Sequence, residues 1–322
     1  MRLMLAYDGS ACADAALELV ARLPLPTGSA ITVVTALERG PQLFGAPEFA
    51  VVPHDADEAE ELLLADLQDM LQGAAGPLRT HDRQIDTRVI RGRPASAIVE
   101  EARAILPDLL VVGSRGHGPL ATVVMGSVSA EVVDHAPCPV LVARHPSVTR
   151  LVVGVDGSTA AAQALAMLRR WPVFAGMPAR VVSVAQPISS WAQTVGSTFY
   201  PAWVDTHERR DDRREQLLEV ARRAADDLLT AGLTASAELR EGDPAEQILR
   251  AAEEDGADLV VVGSRGLSTL PRLVLGSVAR KVLLHASQSV LVVREAHERV
   301  ESPQREAERA ATSTAVGALT AS

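Results

Sequence analysis

The chain has 322 residues and a formal net charge of −10, with 47% hydrophobic but only 3% aromatic residues. Its length is about twice that of one compact domain, and its acidic balance excludes a surface that tracks nucleic-acid phosphates. No apolar run of about 18 residues occurs, which excludes a spanning helix, and an aliphatic, aromatic-poor chain suits parallel sheets buried on both faces.

Met1 to Ser10 shows no apolar leader before polar residues intervene, so a cytoplasmic protein is expected. Leu3 to Tyr7 is an apolar run stopped by Asp8-Gly9-Ser10, a strand followed by a turn. Ala16, Leu17, Val20 and Leu23 then recur at helical spacing as far as Pro24. Ile31 to Leu37 is a β-branched strand. Asp55 to Leu71 is an acidic helix whose predicted buried stripe is Leu62, Leu63, Leu67, Met70 and Leu71. A strand ends over Arg88 to Arg91, before Gly92. Pro94 opens a helix with Ile98, Val99 and Ala102 facing inward. Leu109 to Val112 is a strand, Ser127 to Ala136 a helix closed by prolines, and Val140 to Ala143 the last strand of this half.

The pattern then starts again. Asp8-Gly9-Ser10 recurs as Asp156-Gly157-Ser158, 148 residues on. Val111 to Gly116 recurs letter for letter at Val261 to Gly266, Gly126-Ser127-Val128 at Gly276-Ser277-Val278, and Gly92-x-Pro94 at Gly242-x-Pro244, all 150 residues on. Such self-similarity marks a duplicated domain. The second set of strands is Leu151–Val155, Arg180–Ala185, Ser236–Arg240, Leu259–Val262 and Val290–Val293. Its helices lie near Ala160–Arg170, His207–Ala231, Ala245–Glu254 and Ser277–Ala286. Alternating βα units imply right-handed crossovers and parallel sheets. Two domains are expected, residues 1–146 and 149–295, joined by a linker over His145–Thr149. A polar tail, 296–322, is expected to be mobile, with a transient helix around Val300–Ala311. Cys12 and Cys138 lie far apart, outside any metal or disulfide spacing, and read as reduced, buried thiols.

Ligands of open α/β sheets bind beyond the carboxyl ends of the strands. Both Asp-Gly-Ser turns and both Gly-x-x-Gly turns fall there. Gly113-x-x-Gly116 is followed after nine residues by Gly126-Ser127, and Gly263-x-x-Gly266 after nine by Gly276-Ser277. Glycines admit close backbone approach, and a helix opening at Gly-Ser offers N–H groups and the positive dipole end to a phosphate. The Walker-type G-x-x-x-x-G-K-[ST] loop is absent, and no G-x-G-x-x-G follows the first strand of either half.

This spacing, with an Asp after the first strand, resembles the ATP-binding branch of the universal stress protein family, over both halves. The resemblance implies two tandem, doubly wound, Rossmann-like five-stranded parallel α/β domains, each with ATP and Mg2+ across its carboxyl edge, and a nucleotide-dependent regulator in stress response. Carried over by motif, Asp8 and Asp156 lie at the adenine and ribose end. Ala36 and Val184 offer backbone to adenine, and Val112, Gly113, Val262 and Gly263 floor the ribose. Arg115, Gly116, Arg265 and Gly266 border the phosphates. Gly126, Ser127, Val128 and Ser129 wrap them in the first half, and Gly276, Ser277 and Val278 in the second. Ala279 replaces the Ser129 hydroxyl in the second half, so the first site is expected to be the tighter unless Arg280 compensates.

Other readings stay open beside these. Asp8 and Asp156 could cap the following helices, and His117 is read as solvent-facing. Trp191, Phe199, Tyr200 and Trp203 form an aromatic segment that is a lid, a docking patch or packing against the sister domain. No catalytic or metal-binding residue is assigned. The alternative functions are a slow ATPase or self-phosphorylating protein using Ser114, Ser127 or Ser129, and a non-catalytic partner-binding module. The two domains are expected to pair through Val140–Ala143 and Val290–Val293, whose unpaired edges invite it; further association into a homodimer is left open.

Overall fold

The computed structural model describes residues 1–38, 56–116, 125–186, 206–266 and 275–294. The first half runs β1 (Arg2–Ala6), α1 (Ala11–Arg22), β2 (Ala30–Leu37), α2 (Ala56–Ala75), β3 (Gln84–Arg91), α3 (Pro94–Ile105), β4 (Leu109–Gly113), α4 (Ser127–His135) and β5 (Val140–Ala143). The second repeats it as β6 (Leu151–Gly154), α5 (Thr159–Arg170), β7 (Pro178–Ala185), α6 (Thr206–Thr230), β8 (Thr234–Glu241), α7 (Pro244–Glu254), β9 (Leu259–Gly263), α8 (Ser277–His285) and β10 (Ser289–Val293).

Strands buried on both faces send alternate side chains to opposite cores. Leu3 and Leu5, like Leu109 and Val111, pack under α1 and α2, whereas Met4, Leu110 and Val112 pack against α3 and α4. The second half does the same, and each core continues across both halves. The α1 helix ends before Pro24 and α4 before Pro137, where the missing N–H forbids another turn. In α2 the expected stripe is only partly realised. Leu71 is buried, together with Ala74 and Ala75, but Leu62 and Leu63 are 61% and 46% exposed. The inward face runs through Leu64, Leu67 and Leu71, spaced i, i+3 and i+7, and Leu62 and Leu63 fall outside it.

The ten strands form one sheet in the order β3-β2-β1-β4-β5-β10-β9-β6-β7-β8. Within each half every pairing is parallel; between the halves β5 and β10 pair antiparallel. Leu141 faces Leu291, its own equivalent 150 residues on, while Val140 faces Val292 and Val142 faces Val290. A residue that pairs with its own repeat lies on the pseudo-twofold axis.

Arg144, just past β5, fastens this junction. Its guanidinium donates to the carbonyls of Leu283 (2.6 Å) and Gln288 (3.1 Å). Ser289 Oγ accepts from the backbone of Arg144 and His145. Burial pushes the Arg144 guanidinium down to about 10, helped by the neighbouring charge of Arg115, which still leaves it charged at neutral pH. Arg280 reaches across to Asp134 of α4 at 3.0 Å.

Candidate functional site

Each half switches topology between its first and fourth strands: the chain leaves β1 towards β2 on one side, and β4 lies on the other. The crevice beyond the carboxyl ends of that pair is the open α/β binding position. Into it run the turn after β1, with Asp8, and the turn after β4, with Gly113 to Gly116.

The two turns are fastened together. Asp8 accepts from the Ser10 N–H at 3.0 Å across Gly9, whose φ of 76° favours glycine. Ser10 Oγ caps α1 by accepting from the Ala13 N–H, and donates to the Arg115 carbonyl at 3.3 Å. The second half copies each contact: Asp156 with the Ser158 N–H at 2.9 Å, Gly157 at φ 81°, and Ser158 Oγ with the Ala161 N–H and the Arg265 carbonyl. The helix cap is therefore the serine, and the aspartate is held beside the crevice. The role of Ser10 and Ser158 was missed in the sequence reading, although both stand in the repeated Asp-Gly-Ser signal.

The three glycines of each half do different work. A Cβ on Gly113 would lie 2.8 Å from the Cys12 carbonyl carbon, and one on Gly263 would lie 2.7 Å from that of Ala160. These glycines let β4 and β9 approach the first turns of α1 and α5, a packing role beside the ribose floor expected of them. The side chains of Val112 and Val262 are likewise buried in the core, so they have only backbone to offer there. A Cβ on Gly116 would come within 2.5 Å of Asp8 Oδ2, and one on Gly266 within 2.7 Å of Asp156 Oδ2. Gly126 and Gly276 donate to the Ser114 and Ser264 carbonyls at 2.8 and 2.7 Å, crossing the loop where a Cβ would press on the Arg115 or Arg265 backbone at 3.2 Å.

Those last glycines are the N-caps of α4 and α8, and neither helix has a side-chain cap or an acidic residue in its first turn. By contrast, Ser10, Ser158 and Asp243 cap α1, α5 and α7. Like α3, whose N-cap Arg93 also lacks a side-chain cap, these two helices present first-turn N–H groups that no side chain caps, and theirs lie beside the glycine turns, an arrangement that suits an anion. Ser127 and Ser277 are exposed at the first helical position, and Val128 and Val278 follow, half-buried. Arg115 is exposed and Arg265 half-buried.

Ala36 and Val184 sit where backbone groups face the crevice. Tyr7 N–H donates to the Val34 carbonyl at 2.8 Å, and Val155 N–H to that of Val182 at 2.9 Å. Two residues on, the backbone of Ala36 and of Val184 points the same way, beyond the last paired residues of β1 and β6. In the first half Tyr7 also donates to Asp14 at 2.6 Å. Burial, then this bond, raises its phenol to about 12.

Ser129 has a partner within the protein. Its hydroxyl is buried and donates to the Gly113 carbonyl at 2.7 Å, so its proton is directed into the protein. Arg280 is paired with Asp134 across the domain junction. Ser114 is also buried, its hydroxyl 3.6 Å from Cys12 Sγ. Cys138 is buried, with its thiol pushed up to about 12 by desolvation, while Cys12 is half-buried; both are free cysteines.

The family model described as the Universal stress protein family matches residues 1–144 and again 147–294. The chain belongs to the universal stress protein family. It is 27% identical over 302 residues to a universal stress protein of Mycolicibacterium smegmatis, covering 91% of this chain and 96% of that one. A Thermus aquaticus universal stress protein is 35% identical over 144 residues, covering 44% of this chain and 97% of its own length. A universal stress protein structure from Archaeoglobus fulgidus superimposes with a TM-score of 0.62 at 18% identity, over 91% of this chain and 98% of that one, a likeness of fold. Family membership supports a role in stress response. Among the described residues no helix is long and apolar enough to cross a membrane. His117, the aromatic segment 191–203 and the tail 296–322 lie outside the described residues.

Proposed function

We propose that each half binds an adenine nucleotide, ATP carried with Mg2+, and that occupancy regulates this stress protein rather than feeding rapid turnover. The observation that carries the reading is the pair of uncapped helix starts, α4 and α8, each set beside a glycine turn that leaves room for an aspartate at the switch point. First-turn N–H groups and the dipole would hold phosphate oxygens. Asp8 and Asp156, just past the first strand of each half, would offer their carboxylates to the ribose hydroxyls. Backbone at Ala36 and Val184 would read the adenine edge. Arg115 and Arg265 add positive charge on the glycine turns.

The described residues contain no cluster of three His, Cys, Asp or Glu side chains that could hold a metal ion. Magnesium would therefore arrive on the phosphates, as it commonly does. Burial of Ser114 and Ser129 leaves Ser127, exposed at the start of α4, as the outward hydroxyl among the three candidates for self-phosphorylation. The test is denaturation of purified protein followed by mass identification of the released small molecules, with phosphate release assayed under magnesium. Adenine nucleotide with negligible phosphate release supports a binding regulator; steady release supports the enzyme reading.

A further inference from the structure

The pseudo-twofold axis at Leu141 and Leu291 should give the domain junction two equivalent valleys, one beside α1 and one beside α5. The first is crossed by the linker. Val148 is buried in the core there, the Thr149 N–H donates to Asp258 at 2.9 Å, and Arg144 closes the end on Leu283 and Gln288. The second is a cleft of about 810 Å³. It is lined by the repeat equivalents of those groups: Met1 for Thr149, Asp108 for Asp258, Pro139 for Ser289 and Arg294 for Arg144. Proline at 139 removes the hydroxyl that serves Arg144 and His145 in the other valley.

Arg294 and Gln163 line this cleft, and each carries one polar atom, Nε and Oε1, that is shut off from solvent without a hydrogen-bond partner. A buried group without a partner carries its full desolvation penalty, which is larger when the group is charged. Burial pushes the Arg294 guanidinium below the usual arginine range. Around them the wall is largely apolar, with Met167, Trp171 and several prolines. At the rim stands Leu106, in the left-handed region at φ 48° and 44% exposed, where the repeat has Gly256 at φ 61°. Leu106 is the left-handed C-cap of α3, its N–H donating to the Ala102 carbonyl, and its side chain lines the cleft.

We propose that this cleft binds a small amphipathic anion: a carboxylate or sulfonate on an apolar body that also carries one N–H or O–H donor. The anionic oxygen answers the Arg294 guanidinium, the donor answers the Gln163 amide, both side chains lining the cleft, and the apolar body lies along Met167 and Trp171. The size and lining are those of a small-molecule pocket, mostly apolar with few convergent polar groups. The site takes no group from either glycine turn and stands independently of nucleotide binding.

The probe is 8-anilinonaphthalene-1-sulfonate, which combines an aromatic body, a sulfonate and an N–H. Full-length protein is expected to bind one equivalent with enhanced, blue-shifted emission. Arg294→Met and Gln163→Leu should each weaken it by about tenfold, the value of one bond to a charged or buried polar partner. Arg294→Lys should retain part of the affinity, and Ala166→Trp, which narrows the cleft, should abolish binding. Near-UV circular dichroism checks that each variant folds. Excess MgATP should not displace the probe, and an ammonium amphiphile of similar size should not bind. Absence of binding by the folded full chain, whether because its own residues fill the cleft or because the cleft closes, overturns the proposal. So does displacement by MgATP, or binding indifferent to Arg294→Met, Gln163→Leu and Ala166→Trp together.

Discussion

The Asp8 carboxylate occupies the space that a side chain on residue 116 would need: a Cβ on Gly116 would lie 2.5 Å from Asp8 Oδ2, and the second half repeats this with Asp156 and Gly266 at 2.7 Å. Gly113 is crowded instead by backbone of α1, at 2.8 Å. A short side chain can turn away, whereas a helix start cannot. Gly116→Ala is therefore expected to leave stability within about 0.5 kcal/mol and to weaken nucleotide binding by moving Asp8. Gly113→Ala should destabilise by about 1–3 kcal/mol through overpacking. Denaturant midpoints with nucleotide titrations on both variants check the contrast; equal stability losses would contradict it.

Ser129 spends its proton on the Gly113 carbonyl. Ser129→Ala should cost about 1 kcal/mol of stability and leave the first-half nucleotide affinity within about twofold. A large affinity loss at unchanged stability would restore Ser129 to the phosphate site.

Arg144 and Arg294 hold equivalent positions in the repeat but opposite situations. Arg144→Met removes charged hydrogen bonds to Leu283 and Gln288 and should destabilise by about 2–3 kcal/mol. Arg294, whose Nε has no hydrogen-bond partner, should tolerate the same change within about 0.5 kcal/mol, or gain from it. Melting the two variants without added ligand measures the difference.

Asp243 caps α7 through the Ala245 and Glu246 N–H groups and pairs with Lys281 at 2.7 Å. The Lys281 bond, ahead of the opposing effect of burial, lowers its carboxyl below 3.8. A lowered acid contributes stability above its unfolded value that is lost as pH falls through the folded one. The stability gap between the natural protein and Asp243→Ala should thus be full at pH 7 and shrink once pH drops below about 3.8. Urea unfolding from pH 7 to pH 3 follows it, and a gap that widens on acidification would contradict the assignment.

The duplication and the strand–helix alternation were legible because exact repeats such as Val111–Gly116 and apolar runs such as Leu109–Val112 depend on local patterning alone. The placement of the glycine turns at the carboxyl edge was legible for the same reason. The role of each glycine was not. Whether the missing Cβ of Gly113 faces a helix or a ligand depends on how closely α1 crosses β4, a tertiary distance that spacing does not encode. The direction of the Ser129 hydroxyl was not legible either, since a hydroxyl in the first helical turn can point to the crevice or back to Gly113, and only packing decides. Leu62 misled because adjacent leucines in α2 suggest a broad apolar face that the narrow contact with β2 and β3 does not require.

The most direct measurement of the central claim is calorimetric titration of the folded, nucleotide-stripped chain with MgATP, alongside Gly116→Val and Gly266→Val. Each variant sets a branched side chain against Asp8 or Asp156. Saturable binding approaching two ATP per chain is expected, with one site lost in each single variant and both in the double variant. No heat and no gain in melting temperature at millimolar MgATP, or binding unchanged in the double variant, would contradict the account.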